Sequence, residues 1–209
     1  GGRRGGPGGT AGGMVEGEAD PGAGPIGFTS TGNGVQTSGG GASGLPEVTE
    51  PLPTDGYTQP GAQANTLSAG DDAVSLIRID GQVSGDPLLP HHGLVISAGA
   101  STVRGLALTG FPALYNFLTG ELLFDGTAII LQGSGQNTIA GNFIGLSSEE
   151  LQNGGNSTGI RVTSAGNTIG GTTPAMRNVV ARNSVGIALD PGADGNLVHT
   201  LKIDRSFVS

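Results

Sequence analysis

Asparagine recurs in this chain at intervals close to 30 residues, and each copy introduces a short apolar run. Thirty residues separate Asn137 from Asn167, and 29 separate Asn167 from Asn196. The runs, as in "NTIAGNFIGL", are only about four to six residues long, which is typical of β-strands and too short for a stable helix. A period of this length indicates a repeat architecture, in which each unit buries its apolar face against the next unit.

Four segments share one pattern, which is a short alternating run, a Gly-rich or Ser-rich turn and a second short run. They are 93–111, 127–146, 159–171 and 186–200. A doubly wound sheet needs a crossover helix in each unit of about 30 residues, and these segments leave no room for one. The pattern predicts an all-β fold in which each short strand pairs with the equivalent strand of the next repeat.

The phrase "NTIGGTTPAMRNVVARNSVGIAL", residues 167–189, is the most specific part of this pattern. Together with "GYTQPGAQANTLSAGDDAVSLIRIDG" upstream, it resembles the right-handed parallel β-helix proteins of the pectin-lyase-like superfamily, in particular bacterial extracellular ones. The resemblance covers 45–199. It implies a right-handed parallel β-helix (solenoid) and a secreted or cell-surface protein.

The two ends and one internal segment depart from the pattern. Residues 1–44 are rich in Gly and carry few apolar side chains, so we expect a mostly disordered segment before β-helix coils at 45–209. The closing "LKIDRSFVS" stops shortly after a run begins, so the solenoid is expected to be incomplete there and the chain to be a fragment. At 111–124 the apolar residues approach helical spacing, which predicts an insertion, either a short helix or a degenerate coil.

Six asparagines are predicted to line the turns of successive repeats. An unpaired buried amide costs on the order of 1 to 3 kcal/mol, so an inward-facing Asn in every repeat requires partners. Identical side chains stacked in register provide them. We therefore expect these residues to stack repeat on repeat: Asn137, Asn142, Asn167, Asn178, Asn183 and Asn196.

Composition excludes several classes of function. The net charge is −8 and the sequence pI about 4.6, and no window gathers the basic residues that a nucleic-acid surface needs. No apolar run approaches the roughly 20 residues of a membrane span. The chain has no Cys, which excludes disulfides, thiolate metal sites and cysteine nucleophiles.

A polysaccharide lyase or hydrolase on this fold would need paired carboxylates, or a Ca²⁺ cluster beside an Arg base. Most of the acidic residues lie in Gly-flanked turns, where Asp is favoured for local hydrogen bonds. One catalytic group can be assembled from the sequence, namely Arg161 or Arg182 with Asp125, Asp190 and Asp194. The sequence as a whole predicts no catalytic, cofactor-binding or metal-binding residue.

Three further motifs have simple interpretations. His91 and His92 are adjacent, so on a strand they would point to opposite faces, and we expect a solvated loop rather than a metal site. The turn at 190–195, "DPGADG", lacks the ligand pattern of a Ca²⁺ loop. Asn156 opens "NST", a glycosylation acceptor if the host glycosylates exported proteins.

The sequence thus favours a non-catalytic β-helical scaffold segment of a secreted or cell-surface protein. Its expected partners are polysaccharide or other cell-surface material and the neighbouring coils of a longer parent chain, without nucleic acid. The alternative from the same fold is a polysaccharide lyase or glycoside hydrolase, an analogy of fold alone. A third interpretation is a translated fragment that has no stable fold.

Overall fold

The computed structural model describes residues 27–31, 34–38, 45–81, 91–146, 155–199, 201–204 and 207–208. Helix in this part of the chain is limited to short 3₁₀ turns such as Gly56–Thr58 and Pro174–Met176. The predicted all-β class is confirmed. The expectation of disorder in residues 1–44 falls mostly outside the described residues, and the described stretches within it are two strands.

The strands of the described residues, in chain order, are β1 (Gly27–Thr31), β2 (Gly34–Ser38), β3 (Pro53–Asp55), β4 (Ile77–Asp80), β5 (Leu94–Ile96), β6 (Thr102–Arg104), β7 (Leu106–Thr109), β8 (Leu114–Tyr115), β9 (Leu122–Phe124), β10 (Thr127–Leu131), β11 (Thr138–Ala140), β12 (Phe143–Ile144), β13 (Thr158–Val162), β14 (Thr168–Ile169), β15 (Asn178–Ala181), β16 (Val185–Leu189), β17 (Leu197–Val198), β18 (Leu201–Asp204) and β19 (Phe207–Val208).

Three stacks of strands account for most of these elements. Sheet A contains, in spatial order, β1, β2, β4, β7, β12, β15 and β18; sheet B contains β5, β10, β13, β16 and β19; sheet C contains β3, β6, β11, β14 and β17. Apart from the antiparallel β1–β2 pair, the strands in these sheets pair in parallel. The chain visits B, C and A in turn, so β5–β7, β10–β12, β13–β15 and β16–β18 are successive repeats. This arrangement is compatible with a β-solenoid.

The core lies between the three sheets and is built from aliphatic side chains in register. On sheet B, Ile129 pairs with Ile160, which pairs with Ile187, and none of the three is exposed. Sheet C places Ile139 beside Ile169 in the same way. Burial of each such side chain contributes about 1.5 to 3 kcal/mol. A slip of one residue would turn these side chains to the outside, so the apolar alternation fixes the register.

Asparagine side chains connect the repeats at each of the three corners where the chain passes between sheets. At the B-to-C corner, the Asn137 backbone N–H and Nδ2 both donate to Asn167 Oδ1, each at 3.0 Å. Asn167 Nδ2 in turn donates to Asn196 Oδ1 at 2.9 Å. At the C-to-A corner, the Asn142 backbone N–H and Nδ2 both donate to Asn178 Oδ1, at 3.0 and 3.2 Å. The predicted stacking is confirmed.

A third ladder contains Asn183, which the sequence interpretation included, and Asn156, which it missed. At the A-to-B corner, Asn156 Nδ2 donates to Asn183 Oδ1 at 2.8 Å, and Asn156 Oδ1 accepts from the backbone N–H of Phe111 at 3.1 Å. Asn156 is buried, and its amide nitrogen also donates to the Leu108 carbonyl. In the folded chain this side chain is therefore not available as a glycosylation acceptor.

The segment at 111–124 is neither a helix nor a repeat. Strands β8 and β9 form a two-stranded antiparallel hairpin between β7 and β10. Phe111 is buried in the core at its base, whereas Phe117 at its tip is 90% exposed. Gly120, with φ +71°, and an Asn116 side chain that accepts from the N–H groups of Leu118 and Thr119 reverse the chain.

Candidate functional site

The A-to-B corner varies in length from repeat to repeat. Between β7 and β10 it holds the hairpin, whereas between β15 and β16 it is only residues 182–184. The corners after β4 and β12 are also long in sequence, and they include 82–90 and 147–154, which lie outside the described residues. Long connections on a regular scaffold are where binding residues are most often found, so polar side chains beside this corner form the candidate site.

Arg161 is the centre of this site. It lies in β13 between the inward-facing Ile160 and Val162, so alternation directs its side chain outward from sheet B. Its Nε and Nη2 lie 3.0 and 2.9 Å from Asp190 Oδ2, in the loop after β16. Its Nη1 lies 3.7 Å from Asp125 Oδ2, just before β10. One guanidinium thus connects carboxylates from the repeats on either side.

Two hydroxyl groups also donate hydrogen bonds to Asp125. Ser157 Oγ donates to Asp125 Oδ1, and Thr158 Oγ1 donates to Asp125 Oδ2 at 3.0 Å. The Arg161 side chain remains 42% exposed, and those of Asp125 and Asp190 remain 23% and 28% exposed. The cluster is therefore fixed in position by its own contacts and still open to solvent on one side.

Two histidines border the cluster, each against a different aromatic ring. His92 stacks on Phe124 with ring centroids 4.5 Å apart, and His91 meets Phe111 edge-on at 5.9 Å. Both histidines lie in a loop, as expected, but their side chains are partly buried rather than fully solvated. His92 Nδ1 also accepts from the backbone N–H of Thr127 at 3.2 Å, which requires the neutral ring.

The environment of His92 predicts that the fold loses stability in mild acid. Burial lowers the pKa of His92; the Asp125 carboxylate opposes this, and Arg161 and His91 act in the same direction as burial. The unfolded chain then binds the proton more readily, so stability is retained at neutral pH and falls as the pH drops below about 6.5. We expect the Tm of the wild type to fall between pH 7.5 and 5.5 in thermal melts.

The variant His92→Asn offers an amide oxygen to Thr127 without titrating, so its Tm should change less over the same pH interval. His199→Asn removes a histidine from the loop after β17 and serves as the control. An unchanged pH profile in His92→Asn would contradict the assignment.

The remaining members of the sequence-derived catalytic group lie elsewhere. Asp194 is exposed in the loop after β16, where its carbonyl accepts from Gly166, and Arg182 is exposed at the corner after β15. The structure therefore brings together Arg161, Asp125 and Asp190 and leaves Asp194 and Arg182 outside the cluster. The described residues contain no group of three His, Asp or Glu side chains that could hold a metal ion.

A second polar region at the C-to-A corner has a structural role. The 56–76 segment reaches along this corner, where Arg177 Nη1 and Nη2 donate to the carbonyls of Gly70 and Ser68 at 2.7 and 2.8 Å. Tyr57 donates its hydroxyl to the Gly141 carbonyl, and burial raises its pKa to about 12. Asp72 lies in this segment and accepts from the backbone N–H and the hydroxyl of Thr66, and this bonding lowers the pKa of Asp72. Its carboxylate shapes a turn.

Comparisons with protein-family profiles, with characterised proteins and with solved structures gave no match for this chain. None of the helices in the described part of the chain is long and apolar enough to cross a membrane.

Proposed function

We propose that this chain is a non-catalytic carbohydrate-binding segment of a right-handed parallel β-helix protein of the pectin-lyase-like superfamily, secreted or displayed at the cell surface. The parallel stacks of sheets A, B and C and the in-register Asn ladders support the β-helix. The resemblance of 167–189 to that superfamily supports the family and the location.

The observation that carries the binding proposal is the arrangement of Arg161 between Asp125 and Asp190 on the outer side of sheet B. These ion pairs fix the positions of the guanidinium and the two carboxylates, and their solvent-exposed sides present donors and acceptors to the hydroxyls of a sugar ring. The partly exposed Phe124 beside them adds an apolar surface for the C–H face of the ring. The stacked repeats would extend this surface along a polysaccharide chain.

The same contacts argue against catalysis. An arginine that acts as a base needs a guanidinium free of carboxylate partners, whereas Arg161 donates to Asp190 through two nitrogens. A carboxylic acid that protonates a leaving group needs an apolar site, whereas Asp125 accepts from Ser157 and Thr158 and faces Arg161. Each candidate group is already neutralised by its neighbours.

The test measures binding of the full chain to a panel of neutral and uronic-acid polysaccharides by affinity electrophoresis and calorimetry. We expect Arg161→Ala to weaken binding by about 10-fold or more, since one charged hydrogen-bonding group contributes about 1.5 to 3 kcal/mol. Arg182→Ala, an exposed arginine outside the cluster, is the matched control and should bind like the wild type.

Product release is measured on the same panel with and without Ca²⁺. No release is expected from the wild type. Turnover that disappears in Asp125→Asn or Arg182→Ala would overturn the proposal in favour of a polysaccharide lyase or glycoside hydrolase.

A further inference from the structure

The β8–β9 hairpin exposes more apolar surface than any other described part of the chain. Five large apolar side chains are about half exposed or more: Tyr115 at 57%, Phe117 at 90%, Leu118 at 79%, Leu122 at 49% and Leu123 at 56%. Contiguous apolar patches of this kind on a soluble chain mark interaction sites. We propose that the hairpin inserts its tip into the surface of a zwitterionic lipid bilayer.

The distribution of these side chains selects lipid over a protein partner. The exposed fraction rises from the strands of the hairpin towards its tip, from 49% at Leu122 to 79% at Leu118 and 90% at Phe117. A protein partner packed along the hairpin would cover its strands at least as well as its tip. Lipid covers an inserted tip first, which matches this gradient.

The area is also too small for a stable dimer of this chain. The five side chains expose roughly 500 Å², taking on the order of 150 to 250 Å² for a fully exposed aromatic side chain. A stable protein interface buries about 800 Å² on each partner. Insertion into lipid has no such minimum, because a few apolar side chains already give measurable partitioning.

Several backbone N–H groups at the tip of the hairpin are already paired within the hairpin. The Asn116 and Gly120 N–H groups donate to the carbonyls of Glu121 and Asn116, both at 2.8 Å. Leu118 and Thr119 donate to Asn116 Oδ1, and the Glu121 N–H donates to Thr119 Oγ1 at 3.3 Å. An unpaired N–H group in a bilayer costs several kcal/mol, so this internal pairing lowers the cost of inserting the tip.

Charge determines which lipid the tip accepts. Within 114–124, Glu121 is the one charged residue of the sequence, and the chain as a whole carries a net charge of −8. The negative surface potential of an anionic membrane repels such a protein. A bilayer of zwitterionic headgroups does not, and the phenol of Tyr115 near the base of the hairpin is suited to the headgroup level.

The experiment is co-sedimentation of the full chain with phosphatidylcholine vesicles. Binding should persist in 1 M NaCl, and it should weaken as phosphatidylserine replaces part of the phosphatidylcholine. The double variant Phe117→Ser/Leu118→Ser should lower the partition coefficient at least about 10-fold, since burying one such side chain contributes more than that factor. Glu121→Gln should raise it.

The matched control is Leu189→Ser/Leu197→Ser, which changes two exposed leucines, 42% and 55% exposed, in β16 and β17. It should sediment with vesicles like the wild type. Failure of the wild type to bind, or an equal loss in the control, would overturn the proposal. So would sedimentation velocity showing that Phe117→Ser/Leu118→Ser converts a dimer to a monomer, because the hairpin would then be covered by a second copy.

Discussion

Replacing Asn167 with alanine is expected to destabilise the fold by about 3 to 5 kcal/mol and to lower its Tm by about 10 °C. Asn167 Oδ1 accepts from both the backbone N–H and Nδ2 of Asn137, and Asn167 Nδ2 donates to Ser164 and Asn196. Because the side chain is fully buried, no water replaces these partners. Each group left without a partner costs about 1 to 3 kcal/mol, and the cavity adds to that.

The measurement is urea unfolding and thermal melting followed by circular dichroism. Asn116→Ala is the matched control, because it removes the same amide from an Asn whose Oδ1 accepts only from N–H groups of the exposed hairpin tip. Its Tm should stay near that of the wild type. Similar melts for the two variants would show that the ladder does not stabilise the fold.

Replacing Gly145 with alanine is the second change with a large expected effect. Gly145 follows β12 with φ +92°, and an added Cβ would overlap the carbonyl oxygen of Ala181 and the amide of Asn183 in the next repeat. The left-handed backbone costs alanine about 1 to 2 kcal/mol, and the overlap adds about 1 to 3 kcal/mol. We expect a loss of about 2 to 5 kcal/mol in the free energy of unfolding.

Gly192 separates the two contributions. It has a closely similar φ of +88°, but an added Cβ there would meet nothing within 4 Å. Gly192→Ala should therefore cost only the backbone term, about 1 to 2 kcal/mol. An equal loss in the two variants would mean that the repeats separate easily enough to admit a methyl group.

The place of Asn156 in the third ladder could have been predicted from the sequence. "NSTGI" at 156–160 and "NSVGI" at 183–187 share the pattern Asn-Ser-x-Gly-Ile, which was sufficient to align the two asparagines. The first copy is also a glycosylation motif, which predicts solvent exposure instead. Burial of Asn156 follows from its place at the corner, which depends on how 155–157 meet β7 and β15.

The hairpin at 111–124 was mistaken for a helix or a degenerate coil for a different reason. Its apolar residues lie near helical spacing, but they do not share one buried face: Phe111 is buried in the core, whereas Leu118 is exposed to solvent. Spacing along a short segment does not tell which apolar side chains are buried. The turn at Asn116 and Gly120 decides the local structure.

The sequence by itself determined the all-β class, the short strands and the stacking of asparagines, because these follow from local length, alternation and the cost of an unpaired amide. Only the tertiary structure decided that Arg161 joins Asp125 and Asp190 while Asp194 and Arg182 remain outside. Asp125, Arg161 and Asp190 lie about one repeat apart in the chain. Their contacts depend on the register between β10, β13 and β16 of sheet B, where a shift of one residue turns every side chain to the other face.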